Sequence, residues 1–120
     1  MPSSYTTNNG LIVPAPGELN NSWGDTFSNG CTQLVDQSLD GAVTLSLSGT
    51  SSTTAITDGA VSDGRNRVLI CEGTLAADHT ITITPNDAEK WYVVQNNTTG
   101  GFSVIIKQGS GTGTTVTILN

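Results

Sequence analysis

Residues 42–49 read AVTLSLSG, and their alternation decides the fold class. Val43, Leu45 and Leu47 are apolar, while Thr44, Ser46 and Ser48 between them are polar. Successive side chains of an extended strand point to opposite faces, so a period of two marks a strand with one buried face. The pattern continues downstream. TTAITDG (53–59) is a weaker second strand ending in the turn pair Asp58-Gly59. After a turn at SDGRN, RVLICEG (67–73) is apolar on both sides at Val68-Leu69-Ile70-Cys71, as a central strand is. In HTITITP (79–85) Ile81 and Ile83 alternate with threonines until Pro85 stops the strand and Asn86-Asp87 turns the chain. WYVVQN, FSVIIKQ and TTVTILN complete the series, separated by NNTTGG and by GSGTG, which reads as a hairpin tip or flexible loop. Strand signals every 8 to 14 residues with Gly, Asn and Asp between them predict a mainly β domain over 42–120, an antiparallel β-sandwich or jelly-roll-like arrangement.

Upstream the pattern differs. The first twenty residues carry Pro2, Pro14, Pro16, Gly10 and Gly17 with paired asparagines, which excludes helix and disfavours a central strand. The one apolar patch, Leu11-Ile12-Val13, needs a partner surface. An extended arm lying on another subunit and a disordered tail both fit this composition. A helix is predicted from about Trp23 to Leu39, with Ser22 as N-cap and Asp25 at the third position of a capping box. Asp25 also places a negative charge at the positive end of the helix dipole. Trp23, Phe27, Cys31, Leu34, Val35 and Leu39 recur at spacings of three and four, a single apolar stripe. Gly24 and Gly30 each weaken the helix by about 1 kcal/mol relative to Ala, and Gly41 is the expected stop. Residues 1–41 thus read as an attachment arm and helix, with Leu11, Ile12, Val13, Trp23, Phe27, Leu34 and Val35 as the docking side chains.

Composition narrows the function. Only 12% of the residues are charged, against roughly 25% in ordinary globular domains, and the deficit is filled by Thr, Ser, Asn and Gly rather than by apolar residues. A chain this poor in large side chains buries little apolar surface alone, so neighbouring subunits are expected to complete it. The net charge of -6 offers nothing to neutralise a run of phosphates, which argues against nucleic acid as a main partner. No segment approaches the roughly 18 apolar residues of a membrane span, and the N-terminus lacks the basic and apolar regions of a signal peptide. For Cys31 and Cys71 a disulfide and two free buried thiols are both open, the second favoured.

Catalytic and ligand-binding patterns are weak. His79 is the only histidine, so a relay or metal site built from several is excluded, and its place before TITI predicts a solvated residue at a strand start. No G-x-S-x-G or S-x-x-K occurs, GSGTG lacks the Lys-Ser/Thr and following helix of a phosphate loop, and SDGRN lacks the carboxylates of a calcium loop. We expect no enzyme, no cofactor and no metal. Trp91-Tyr92 opens an apolar strand, which predicts core packing; the functional alternative is a sugar-stacking platform.

Three stretches carry a resemblance. YTTNNGLIVPAPGELNNSWGDTFSNGCTQLVDQSLDG (5–41), VSDGRNRVLICEGTLAADHTITITP (61–85) and WYVVQNNTTGGFSVIIKQGSGTGTTV (91–116) are collinear with, and similar to, segments of tail-fibre and related virion structural proteins of tailed phages, notably marine and cyanobacterial ones. The shared features are an extended Gly/Pro piece leading to Gly-Glu and Trp-Gly-Asp, an Arg-Asn pair before a buried strand ending in Gly-Thr-Leu, and an aromatic strand followed by Asn-Thr-Thr-Gly-Gly. Cys31 departs from the pattern, as does the end at TVTILN, where members commonly continue. The resemblance implies a homotrimeric, non-enzymatic virion protein, assembled in the host cytoplasm, attached to other virion proteins through its N-terminal region and exposing its β-domain to a host surface receptor. A head-decoration or head-fibre protein and a carbohydrate-binding module are the alternatives.

Overall fold

The computed structural model describes residues 2–109 and 114–120. Seven strands follow one another after the helical segment: β3 (Ala42–Ser46), β4 (Ser51–Ala55), β5 (Val68–Glu72), β6 (His79–Thr84), β7 (Val93–Asn96), β8 (Val104–Gln108) and β9 (Thr115–Ile118). All seven overlap the segments that the alternation marks, with β4 starting two residues before TTAITDG and β7 two residues after Trp91, and the chain is mainly β. Their pairing is not that of an antiparallel sandwich. β3, β5 and β7 form one parallel sheet, β4, β6 and β8 a second parallel sheet, and only β9 runs antiparallel, on the outer edge of β8. The chain therefore alternates between two sheets and climbs one strand at each pass: a short solenoid of three coils, β3–β4, β5–β6 and β7–β8. Paired residues are 26 then 25 positions apart in the first sheet, and 29 then 25 in the second.

The parallel register stacks like positions in columns. Val43, Leu69 and Val94 form one inward column and Ser52, Ile81 and Ile106 another. Leu45, Leu47, Leu69, Cys71, Leu75, Ile81, Ile83 and Val104 make the core between the sheets, with Tyr92 and Phe102 packed against it. The middle coil is the most apolar inside, because it has a neighbour above and below. Apart from His79 in the middle coil, the polar inward residues fall in the outer coils: Ser52 and Thr54 in the first, Asn96 and Thr98 in the third. Asn96 donates from Nδ2 to the Ile118 carbonyl at 3.1 Å and accepts from the Thr98 hydroxyl at 2.7 Å, while Asn120 reaches Thr98. The C-terminal strand thus closes the third coil with hydrogen bonds rather than apolar contacts.

At the corner between sheets the coils approach so closely that side chains are excluded. A Cβ on Gly73 would overlap the Leu47 carbonyl oxygen, one on Gly100 the Leu75 carbonyl oxygen, and both glycines have positive φ, +131° and +112°. His79 lies inside the solenoid, fully buried rather than solvated. Its Nδ1–H donates to the Gly49 carbonyl at 3.0 Å and its Nε2 lies 2.9 Å from Ser52 Oγ, so both ring nitrogens are satisfied across two coils. The sequence reading missed this because His79 occupies the inward phase of β6, the phase of Ile81 and Ile83. Cys71 is a buried free thiol, pushed up in pKa by burial; Cys31 is free and half-buried.

The N-terminal region folds back on its own chain. Ser4–Tyr5 (β1) and Ile12–Val13 (β2) pair as a small antiparallel hairpin. The turn between them is fastened to the corner loops: the Gly59 N–H donates to the Gly10 carbonyl at 2.8 Å, and the Glu89 N–H to Asn8 Oδ1 at 2.9 Å. This replaces the extended arm or disordered tail with a seated hairpin; the Asn-Asn-Gly turn, with Gly10 at φ +54°, supplies the reversal. The GSGTG loop falls mostly outside the described residues.

Replacing Leu69 by Ala, at the centre of the middle coil, is expected to destabilise by about 3 kcal/mol through transfer and cavity terms. Gly73→Ala should cost about 2 kcal/mol or more, from backbone strain and the lost coil-to-coil approach. Chemical denaturation of both variants against the parent checks these values; a Gly73→Ala midpoint equal to the parent's would show the corner to be loosely packed.

Candidate docking surface

The helical segment runs from Trp23 to Asp40, but not as one regular helix. α1 (Trp23–Phe27) and α2 (Gln33–Asp40) are joined through a π-helical turn, Ser28–Thr32. The predicted capping box does not form. Ser22 has φ -123° and ψ 6° and makes no side-chain cap bond; its backbone alone is used, the carbonyl accepting from the Thr26 N–H at 3.0 Å and the N–H donating to the Leu19 carbonyl at 3.2 Å. Gly41 does follow the last turn, in an extended conformation at φ -63° rather than a left-handed one. It is small because a Cβ would overlap the Gln37 carbonyl and the Asn66 side chain.

The wide turn explains what happens to the apolar stripe. A period of 3.6 carries Trp23 and Phe27 onto the face of Leu34 only while the helix is regular; one extra residue in a turn rotates the two halves by about 100°. Leu34 is completely buried within the chain and is unavailable to a partner, which corrects its assignment to the docking set. Trp23 and Phe27 remain outside, 59% and 41% exposed, their rings stacked with centroids 5.2 Å apart and planes within 2°. α1 has no buried residue at all. Val35 is at the edge of exposure and Leu39 is well exposed on α2. Of the hairpin residues, Leu11 and Ile12 are half-buried and Val13 is exposed; Ile12 lies against Gly30, whose missing side chain admits it. Tyr5, Ile12, Asp25, Thr26, Asn29, Gly30 and Gly59 line a groove of about 280 Å³ between hairpin and helix. Tyr5 was not anticipated: its exposed position on β1 follows from a hairpin that the prolines hide.

A second exposed ring lies elsewhere. Trp91 is 87% exposed and stands outside β7, which begins at Val93, so the core-packing expectation fails for it. It borders a hollow of about 270 Å³ with Asn9, Ser38, Leu39, Arg67, Glu89 and Lys90. Tyr92 faces the other way, packed against the core with its hydroxyl donating to the Gly64 carbonyl at 2.6 Å. The two rings therefore do not form one platform.

Beneath this region lies a cationic knot. Arg65 is fully buried on a 3-10 turn, Asp63–Arg65; its Nη2 donates to the carbonyls of Thr57 and Ala60, while Nε and Nη1 have no partner among the described residues. Burial lowers its pKa and Asp58 opposes that shift. Lys90 donates to the Arg65 and Gly64 carbonyls and lies 5.3 Å from the centre of the Tyr92 ring. Desolvation, reinforced by the Arg65 charge, pulls the Lys90 pKa down to about 8, while burial pushes Tyr92 up to about 12. Among the described residues there is no cluster of three or more metal-ligating side chains. Among the described residues no helix is long and apolar enough to cross a membrane.

Comparison with known proteins returns nothing to set beside this geometry: no protein-family profile, no curated protein and no solved structure matches the chain significantly.

The knot gives stability a distinctive pH dependence. Lys90 titrates lower in the folded than in the unfolded chain, so above about pH 8 the unfolded state holds more protons and stability rises with pH. Tyr92 titrates higher when folded, so above about pH 10 stability falls as the unfolded phenol ionises first. A stability maximum near pH 10 is expected. Urea melts across pH 7 to 12 test it: Lys90→Gln should flatten the rising limb and Tyr92→Phe soften the falling one.

Proposed function

We propose that the chain is a non-enzymatic structural protein of a phage virion, a tail fibre or fibre-like appendage that docks through residues 1–41 and carries the solenoid outward. The observation that supports this most is the stacked, exposed Trp23–Phe27 pair on a helix with no buried residue. Two large rings left in water by a chain with only six aromatics are poor economy for a free monomer and suit a contact hot spot. Charge adds a second argument. Glu18, Asp25, Asp36, Asp40, Asp58 and Asp63 all precede Arg65, the first basic residue, so the whole net charge of -6 resides in the first 64 residues. The receiving surface is then an apolar groove bordered by Lys and Arg on another virion protein.

Trp23→Ala is expected to reduce incorporation into particles by at least about tenfold, while the thermal midpoint of the isolated chain moves little because the ring is largely exposed on a helix with no buried residue. Raising salt from 0.05 to 0.5 M should weaken docking of the parent protein, as the charge argument requires. Normal incorporation of Trp23→Ala would remove the docking reading. Counting copies per particle separates a tail appendage, with a few tens at most, from a head decoration, with hundreds.

The exposure of Trp91 favours a second reading for the outer part of the molecule. One indole beside Arg67, Glu89 and Asn9 offers a stacking face together with hydrogen-bond donors and acceptors, the combination that grips a sugar ring. A shift of Trp91 fluorescence on adding host surface glycan, absent in Trp91→Ala, is the outcome this reading requires.

A further inference from the structure

The two ends of the solenoid are not alike. At the third coil, β9 occupies the outer edge of β8, and the Asn96–Ile118 and Asn120–Thr98 bonds draw the C-terminal strand across the coil. At the first coil, β3 and β4 are the edge strands of their sheets, and among the described residues no strand pairs with either from outside. The inner edges are fixed by the ladder. The Leu47 N–H donates to the Glu72 carbonyl and the Ile56 N–H to the Thr84 carbonyl, while the Thr50 carbonyl accepts from the Thr80 N–H. By the two-residue period, Ala42, Thr44 and Ser46 on β3 and Ser51 and Thr53 on β4 turn both N–H and C=O away from the inner neighbour, while at the end of β4 the Ala55 carbonyl lies against Gly64 of the 3-10 turn. Between the edges lies a hollow of about 200 Å³ lined by Leu45, Leu47, Ser52 and Thr54, with Asp63 among its residues.

Exposed edges are ordinarily blunted by lysine, proline or a bulge. These two carry neither lysine nor proline and pair in unbroken register with their inner neighbours. From Gly41 to Thr57 there is no charged residue and no proline, in a chain whose first 64 residues otherwise hold all of its net charge.

We propose that the open first coil is the seat of a second copy of this chain, joined head to head about a two-fold axis so that each sheet of one protomer continues into the other. The surface asks for a partner with two strand edges at the spacing of one coil, and the same end of another copy has that spacing. A two-fold operation turns the incoming strands antiparallel to β3 and β4, which satisfies the free groups on both sides. Two acidic chains approach most readily through a face poor in charge: Gly41–Thr57 carries none, and Asp63 at the border of the hollow is the one carboxylate beside it. At the third coil, among the described residues, β7 keeps an open edge but β9 already fills that of β8, so a copy stacked head to tail could not continue both sheets, and the assembly closes at two rather than growing into a filament.

The full-length chain, purified at 1 to 100 μM, is expected to show the mass of two chains by sedimentation or light scattering. Thr44→Pro and Thr53→Pro each remove an outward N–H that the monomer does not use, and should shift the dissociation constant upward at least tenfold. Their circular dichroism and thermal midpoints at low concentration should match the parent's; Thr53→Lys, which leaves the backbone intact but adds like charge to the interface, serves if a proline variant misfolds. A monomer at 100 μM overturns the proposal. So does an oligomer that all three substitutions leave intact, as does one dispersed by Trp23→Ala alone. Because the readout is association of the chain with itself, its failure is separate from failure of particle docking.

Discussion

Everything in this molecule depends on stacking like upon like at the spacing of a parallel sheet. Once β3, β5 and β7 lie in register, Val43, Leu69 and Val94 must share one column, and the column fills only if each coil offers a side chain of compatible size. The second sheet repeats the demand with Ser52, Ile81 and Ile106. The constraint reaches the backbone at the corner, where Gly73 and Gly100 let successive coils close to hydrogen-bonding distance: the Thr99 N–H meets the Gly73 carbonyl and the Leu75 N–H the Thr99 carbonyl, both at 2.8 Å. It also decides where polarity is tolerated. A buried polar residue in the middle coil needs its partners from a neighbouring coil, and His79 finds both in the first, at Gly49 and Ser52; in the third coil Asn96 and Thr98 rely on the C-terminal strand.

A core of this kind is small, which accounts for the rest of the architecture. Three coils of short strands enclose few large side chains, and the corner loops between coils remain to be held. Arg65 holds one of them from inside, by donating to Thr57 and Ala60, and Lys90 and Tyr92 bind the same turn through its carbonyls. Burying two cations against carbonyl oxygens rather than carboxylates is costly, and the depressed Lys90 pKa records part of that cost. The seated hairpin covers this knot, with Gly10 lying close to Asp58 and the Arg65 guanidinium.

The seven strands after the helical segment were legible in the sequence because alternation reports directly which residues face inward; the N-terminal hairpin was not. Partnership was not. Gly, Asn and Asp between strands announce that the chain turns, whether into an antiparallel neighbour or toward a second sheet, and the repeat near 25 residues is too degenerate in Ser and Thr to stand out. Val13, read from an apolar patch in need of a partner surface, and Trp23 and Phe27, read from a stripe at helical spacing, are exposed apolar side chains. Leu34 was misplaced because the spacing argument assumed a regular helix through Gly30. Trp91 was misplaced because a strand was begun two residues early, and His79 because a lone histidine was read by type rather than by phase.

The wide turn at Ser28–Thr32 makes the helical segment sensitive to length in a way that composition does not reveal. Removing one residue from it would restore a regular helix and swing Trp23 and Phe27 toward the face that carries Leu34. Side chains now turned outward would then compete for the interior, with no change in any of their identities. In a lineage of such chains, single-residue insertions and deletions at this point would act as a selector between an outward-facing and a self-contained form, a larger effect than most substitutions on the same surface could produce.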